Sequence, residues 1–518
     1  MKSNILKTFL LLILIVTSAN AQNKPFTDEE TINRLKANLT FLADDALEGR
    51  NAGSRGEKIA ALFIASELQK YNVQPLGDNG TYFQSFDMKV RRYVDEPKLV
   101  LLDQDGNTID ELKPGPDFVI DDSKIFDSKF MKKNAEVVFV GYGITAEEYD
   151  YDDYENLDVN GKIVVYLGGE PASNDTNYFA GDKPTKYSSG AFKAKLASDK
   201  GAVGLIVIMP DYYIGVWPIF KSLMMVGDFK FMNEEHSAPG GTPYAMLTLD
   251  GAKKLFKNAD VTYEELLNIR NNGAESKSGN LNIQTGFFYD IVERVEQIRN
   301  VVGVIEGSDP QLKNEYVLLT AHYDHVGIYD GDVCNGANDN GSGTVAMMEI
   351  AKRFAEQKDN KRSVIVALLT AEEKGLLGAH YFARNFPQIE NVVADINIDM
   401  CSRGEEDVMY IIGADRTSSE FKTIMEAANA ETANFKLDAS LSFTRTFEMS
   451  DHYAFALKHI PACFLFDDFR DGLHGPKDEL QYVDYNKIVK NIKFAERAAE
   501  KIANLDHRMV FDGEVEAH

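Results

Sequence analysis

From about Arg299 onward the chain alternates short apolar runs with helical patterns, and histidines and acids stand where the apolar runs end. Val301–Ile305, Tyr316–Ala321, Ser363–Thr370, Ala394–Met400, Val408–Ile412 and Ala462–Phe466 have the aliphatic and β-branched content of buried strands. Gly343–Gln357, Leu376–Asn385, Ser418–Asn429 and Tyr485–Ala503 carry helical spacing. Such alternation predicts an α/β sheet covered by helices. Functional sites in such sheets collect beyond the carboxyl ends of the strands. His322, Glu372 and Asp399 fall at or just after predicted strand ends.

Those positions carry metal chemistry. His322 and Asp324 are two apart, so on an extended segment both side chains point the same way. That suits a ligand histidine whose other ring nitrogen is held by a carboxylate. His325 reads as a neighbour rather than a ligand. Asp339 sits in the glycine-rich turn Gly336-Ala337-Asn338-Asp339-Asn340-Gly341-Ser342-Gly343, where the backbone can approach a cation closely. Glu372 and Glu373 are adjacent acids after a strand, and such a pair, if buried, needs a cation or a shared proton. One can bind metal while its neighbour activates water. Asp399 ends an apolar strand, where an unpartnered acid is rare. His474 stands in a loop, Asp471-Gly472-Leu473-His474-Gly475-Pro476. The ordered set His, Asp, Glu-Glu, Asp, His suits two zinc ions about 3.5–4 Å apart, bridged by a carboxylate and a water.

The remaining features bound the reading. The chain has 518 residues, enough for two or three domains. Its net charge of −26 leaves no basic excess to neutralise phosphates, so nucleic acid is excluded as a partner. Residues 1–21 read as a secretory signal: Lys2 and Lys7, a short apolar run from Thr8 to Val16, then Ala19-Asn20-Ala21. Export to a periplasmic or extracellular space is expected, with no transmembrane segment after the signal is removed. Three cysteines, Cys334, Cys401 and Cys463, are too few for a disulfide scaffold. The spacing predicts helices between about Glu29 and Tyr71, broken by turns at Leu47–Arg50 and Gly53–Gly56. Residues 92–285 form short β-rich runs and read as a domain inserted between 22–91 and 286–518. Within it Leu99–Leu102 before Asp105-Gly106-Asn107 predicts a hairpin, Val137–Val140, Ile163–Leu167 and Val203–Met209 predict strands, and Lys193–Lys200 a helix.

The motifs Ala-His-Tyr-Asp from Ala321, Gly-Ala-Asn-Asp-Asn-Gly-Ser-Gly from Gly336, Thr-Ala-Glu-Glu-Lys-Gly-Leu-Leu-Gly from Thr370 and Asn-Ile-Asp-Met from Asn397 occur in order. With Ser450-Asp451-His452, Ile460-Pro461-Ala462, Leu47-Glu48-Gly49-Arg50 and Tyr82-Phe83-Gln84-Ser85-Phe86, the chain resembles the di-zinc exopeptidases of clan MH, in the family of the bacterial secreted leucyl aminopeptidases. The resemblance implies a mixed, mostly parallel central sheet flanked by helices and an aminopeptidase acting on peptides. It implies that His322 and Asp399 bind one zinc, Glu373 and His474 the other, and that Asp339 bridges. Glu372 would be the general base, Asp324 would orient His322, and the Asp339–Asn340 peptide bond would be cis. The last ligand loop departs from the usual His-Thr, reading His474-Gly475-Pro476-Lys477-Asp478, with the expected acid four residues on; His452 is the competing ligand. The segment Tyr154–Val165, with Lys193–Ala197, resembles a protease-associated domain. The same scaffold hosts carboxypeptidases, for which Arg403 or Arg445 would bind the substrate carboxylate, and glutaminyl cyclases. A binding protein that kept the fold without activity is the reading from another class.

Overall fold

Helices cover both faces of one twisted sheet because its strands are apolar on both sides. In β3 (Tyr316–His322), Val317 and Leu319 face one core while Leu318 faces the other. The same holds for Val364 and Val366 against Ile365 in β4 (Ser363–Leu369). A strand buried on both faces reads as a continuous apolar run, as these do. This computed structural model describes residues 26–515, apart from positions within 121–133, 172–182 and 211–241 and from 273–274, 330 and 470–471. The proposed signal segment lies outside the described residues.

This sheet also contains β1 (Phe83–Tyr93), β2 (Phe287–Ile305), β5 (Val392–Ile398), β6 (Val408–Ile412), β7 (Lys436–Asp438) and β8 (Ala462–Phe466), besides the short strands Gln74–Pro75, on β2, and Asp228–Phe231, on β1. The numbered strands run in the order β1-β2-β4-β3-β5-β8-β6-β7. The pairs β4–β3, β3–β5, β5–β8 and β6–β7 are parallel. The pairs β1–β2, β2–β4 and β8–β6 are antiparallel. This is the mixed, mostly parallel sheet expected. On one face lie α1 (Asp28–Leu42), α2 (Arg55–Lys70), α3 (Gly343–Gln357), α5 (Ser419–Glu431) and α6 (Tyr485–Ala503). On the other lie α4 (Leu377–Asn385) and the short helix His452–Ala456.

A second hydrophobic core gathers residues from Leu99 to Ile291 around its own sheet. There Ala135–Val140, Ile163–Leu167, Gly204–Ile208 and Tyr244–Leu247 run parallel. The Leu99–Leu102 run forms the expected hairpin with Thr108–Leu112. Helices Leu249–Leu255 and Tyr263–Asn272 pack on this core, so the segment is α/β rather than simply β-rich. β2 joins the two sheets. Its start pairs with the Lys98–Leu102 strand, its middle with β1 and its end with β4. Among the described residues no helix is long and apolar enough to cross a membrane. Cys334, Cys401 and Cys463 are buried and unpaired.

Candidate metal centre

Parallel strands end side by side, so residues far apart in sequence converge at one edge. His322 ends β3. Glu372 and Glu373 form the turn after β4. Asp399 follows β5, its amide donating to the Leu465 carbonyl at 3.1 Å. Asp339 comes from the turn ahead of α3, and the Asp339–Asn340 peptide bond is cis. Gly336 in this turn has φ +56°, and a Cβ there would meet the Asp339 carbonyl at 2.2 Å and the His325 ring at 2.6 Å. Only glycine fits. Asp478 holds the turn through the amides of Asn338 and Asp339, at 2.9 and 2.8 Å. Asn340 ties it to β5, donating to the Ile398 carbonyl at 2.9 Å and accepting from Gly343 N at 2.9 Å and Met400 N at 3.2 Å.

Asp339 is the centre of the arrangement. Its Oδ1 lies 3.4 Å from His322 Nε2, and its Oδ2 lies 3.1 Å from His474 Nε2. His322 Nε2 is also 3.1 Å from Asp399 Oδ1, and His474 Nε2 is 3.0 Å from Glu373 Oε2. Two donor groups therefore share one carboxylate. The ligand atoms of His322, Asp339 and Asp399 lie within 4.8 Å of one another, as do those of His325, Asp339 and Glu373. Their mixed nitrogen and oxygen donors fit zinc-type coordination. The fit is supported by buried polar atoms left without a hydrogen-bond partner beside the groups, Asp324 Oδ2 and His325 Nε2.

His325 is closer to the centre than its sequence position suggested. Its Nδ1 is 3.0 Å from Glu373 Oε1 and 3.8 Å from Asp339 Oδ2. The sequence reads His325 as a neighbour rather than a ligand; β3 stops at His322, and His325 lies in the segment beyond it. Asp324 lies beside His322; burial opposes a charged imidazole, and the Asp324 carboxylate is among the acids that raise it. The imidazole Nδ1 meets the Asp324 backbone carbonyl at 3.2 Å, while the carboxylate lies at 3.7 Å and accepts instead from Glu372 N at 3.1 Å. His452 stands apart, fully buried between Phe447 and Phe464 with ring centroids 5.0 and 5.2 Å away. The sequence placed Ser450 in a motif but assigned it no role; its hydroxyl donates to Asp399 Oδ2 at 2.7 Å. It also left Arg50 unexplained; this arginine is fully buried behind the site and donates to four backbone carbonyls.

The charges are strongly coupled. Burial would raise the Asp339 carboxyl, but the imidazoles of His322, His325 and His474 hold it well below the usual range. Burial opposes ionisation of Glu373 too, yet His474 and His325, against the neighbouring Asp339, bring it to about 2. Burial disfavours a charged His474, but Glu373 and Asp339 push it up to about 10. Glu372 differs: burial lifts it well above the carboxylate range, with Asp399, Glu373 and Asp451 adding to the rise and His322 opposing it. Adjacent glutamates are thus driven in opposite directions, a pattern typical of acid–base sites.

The acids open into one pocket. Asp339, Glu372, Glu373, Asp399 and His474 line its inner part, with Leu376, Met400, Met449, Phe464, Phe466, Phe469 and Leu473 on its apolar walls. Thr446 and Glu448 complete the rim.

Residues 300–498 match the model of Peptidase family M28. The chain is similar to aminopeptidase Y of Saccharomyces cerevisiae, 34% identical over 113 residues, covering 21% of this chain and 19% of that protein. It is similar to aminopeptidase YwaD of Bacillus subtilis, 27% identical over 201 residues, covering 37% of this chain and 41% of that protein. The matches thus span less than half the length of these curated relatives. In fold, the chain resembles an aminopeptidase from Aneurinibacillus sp. strain AM-1, with a TM-score of 0.62 at 18% identity, covering 94% of this chain and 98% of the other. It also resembles a zinc aminopeptidase from Bacillus subtilis, with a TM-score of 0.55 at 17% identity and the same coverage.

Proposed function

We propose that this chain is an exported, zinc-dependent aminopeptidase that hydrolyses the N-terminal peptide bond of peptides. The observation that carries this reading is the split of Asp339, one carboxylate oxygen toward His322 and the other toward His474. In this reading His322 and Asp399 hold one zinc, Glu373 and His474 the second, and Asp339 both. Two zinc ions, when bound, supply Lewis-acid polarisation and an acidified water.

The protein's own groups do the rest. Glu372 lines the pocket beside these residues, and its Oε2 takes the proton of the attacking water and passes it to the leaving amine nitrogen. Asp324 fixes the Glu372 backbone through its amide. His325 holds Glu373 Oε1, leaving Oε2 to face His474. The acids attract a substrate ammonium group, and the apolar walls take an apolar N-terminal side chain. Among the described residues the pocket lining is acidic and apolar, which favours binding at the amino end over carboxypeptidase action. Arg403 is engaged elsewhere, 4.0 Å from Asp478 and over the Tyr482 ring. The segment 92–285 is proposed to be a protease-associated domain that shapes access. Residues 1–21 are proposed as the signal that takes the protein to a periplasmic or extracellular space.

The test is hydrolysis of a panel of aminoacyl chromogenic amides by the protein lacking residues 1–21, with and without chelator, beside Glu372→Gln. Chelator-sensitive release, restored by zinc and abolished in Glu372→Gln, supports the reading. Bound zinc without release from any amide redirects the search to C-terminal substrates or cyclisation. No release and no bound zinc would leave a binding protein.

A further inference from the structure

Asp395 is a fully buried acid four residues before Asp399 on β5. The strand period of two puts Asp395, Asn397 and Asp399 along one face. Thr320 stands on the neighbouring strand β3, directly opposite Asn397. These side chains and Ser450 form a continuous chain of contacts. Asp399 Oδ2 lies 2.7 Å from Ser450 Oγ, and Ser450 Oγ lies 2.7 Å from Asn397 Nδ2. Asn397 Oδ1 lies 3.0 Å from Thr320 Oγ1, and Thr320 Oγ1 lies 2.9 Å from Asp395 Oδ1.

Donor and acceptor rules give this chain a direction. A carboxylate only accepts, an amide has distinct donor and acceptor ends, and a hydroxyl has one proton to donate. As a metal-holding carboxylate, Asp399 takes the Ser450 proton. Ser450 must then accept, and it accepts from the Asn397 amide nitrogen. The Asn397 oxygen therefore faces Thr320 and takes its hydroxyl proton. Thr320 has no second proton, so the contact with Asp395 exists only if Asp395 donates. Two unprotonated acceptors facing one hydroxyl would leave one of them buried and unsatisfied, at a cost of about 1–3 kcal/mol.

We propose that Asp395 is a neutral carboxylic acid in the working protein, donating to Thr320, and that it is a positioning residue for Asp399 through Thr320, Asn397 and Ser450. This rests on the reading of Asp399 as a metal-holding carboxylate. The surroundings agree. Asp395 is raised well above the usual range, first by burial and then by Asp451, with its contact to Thr320 opposing. Cys463 is the other ionisable group coupled to it. Among the described residues no cationic side chain contributes to lowering Asp395; only the Thr320 hydroxyl opposes the rise. An uncompensated buried charge is what such a site excludes.

Infrared difference spectra of the zinc-loaded full chain, wild type against Asp395→Asn at about pH 8, well above the ordinary aspartate pKa, read the protonation state directly. The expected result is a carboxylic-acid carbonyl band in the wild type that is lost in D395N. Zinc affinity, from competition with a chromogenic chelator, separates donation from mere packing. Asp395→Leu should lose about tenfold or more, as when other hydrogen-bond partners of metal ligands are removed, and D395N should restore most of it because its amide also donates to Thr320. A wild type with no Asp395-dependent acid band, or a D395N variant as impaired as D395L, overturns the proposal. If D395N does not fold, Thr320→Ala decides: an acid band that shifts when the hydroxyl is removed supports it, and the absence of any shifting band overturns it. Wild-type protein that binds no zinc would instead sink the metallopeptidase reading, whatever the infrared result.

Discussion

Arg50 Nε donates to the Tyr323 carbonyl at 2.8 Å, joining two positions 273 residues apart between His322 and Asp324. The same guanidinium reaches the carbonyls of Leu42 at 2.5 Å, Asn335 at 2.6 Å and Gly336 at 3.0 Å. One buried cation therefore links the His322 segment to the turn that carries Asp339. Burial lowers its pKa to about 10, while Asp478, Asp324, Asp339 and Glu373 oppose the fall. It stays charged at neutral pH, a fixed positive charge behind the acid cluster.

Arg50→Met should remove the guanidinium donor from the carbonyls of Tyr323, Leu42 and Asn335, at about 1–3 kcal/mol for each one left unsatisfied, while the Gly336 carbonyl still accepts from Gly341 N at 3.1 Å. Arg50→Lys keeps the charge but lacks the planar fork, so it should recover only part of the loss. Urea unfolding of the zinc-free proteins and zinc affinity of folded protein measure the two effects. Equal stability and equal zinc affinity in Arg50→Met would remove this role.

Glu372→Gln should lower kcat by about 10²–10⁴-fold, the usual contribution of a positioned general base. Zinc content should not change, because Glu372 is not among the proposed ligands. Metal analysis beside steady-state kinetics checks both. A variant that loses zinc would make Glu372 a ligand instead.

Zinc removal should destabilise the protein, and added zinc should raise Tm in step with the logarithm of free zinc. The pH dependence follows from His474. Metal-free, it holds its proton up to about 10, with burial opposing and Glu373 and Asp339 raising it. Zinc must displace that proton, so affinity should strengthen as pH rises through neutrality toward about 10. Calorimetry in buffers of different ionisation enthalpy should show proton release, and none would remove His474 from the ligand set.

Lys193 offers a separate pH test in the segment 92–285. Its ammonium is buried, donates to the carbonyls of Leu167 at 3.0 Å and of Gly169, and lies over the rings of Tyr142 and Tyr166. Burial lowers its pKa to about 7, against Asp153 and Glu170. The unfolded chain holds the proton up to about 10.4, so it binds more protons than the folded chain between these values. This lysine's contribution to stability should therefore rise from about pH 7 toward about pH 10, and below about 7 its charge is a burden. The Tm advantage of Lys193→Met over the wild type should shrink as pH is raised from about 6 to about 9. A difference that does not move with pH would refute this.

The hydrophobic pattern by itself determined the longer strands and helices after Arg299, because a strand buried on both faces and a helix buried on one are written in local periodicity; β7 and the helix His452–Ala456 are too short to show a period and were not legible. It did not reveal the full length of β2, whose middle, from Glu293 to Val295, is exposed and breaks the apolar run. Nor did it reveal the helices Leu249–Leu255 and Tyr263–Asn272 within the second core. The order of His322, Asp339, Glu372, Glu373, Asp399 and His474 was legible as chemistry, since these residue types are costly to bury without a partner. What each one touches was not. His325 turns toward Glu373 in the segment beyond the end of β3 at His322. Asp324 meets the Glu372 amide, Ser450 meets Asp399, and Arg50 ties the ligand segments together. Residues that neighbour one another in the chain set its period. These contacts join residues from 48 to 286 positions apart, and only the packing of the finished sheet brings them within hydrogen-bond range.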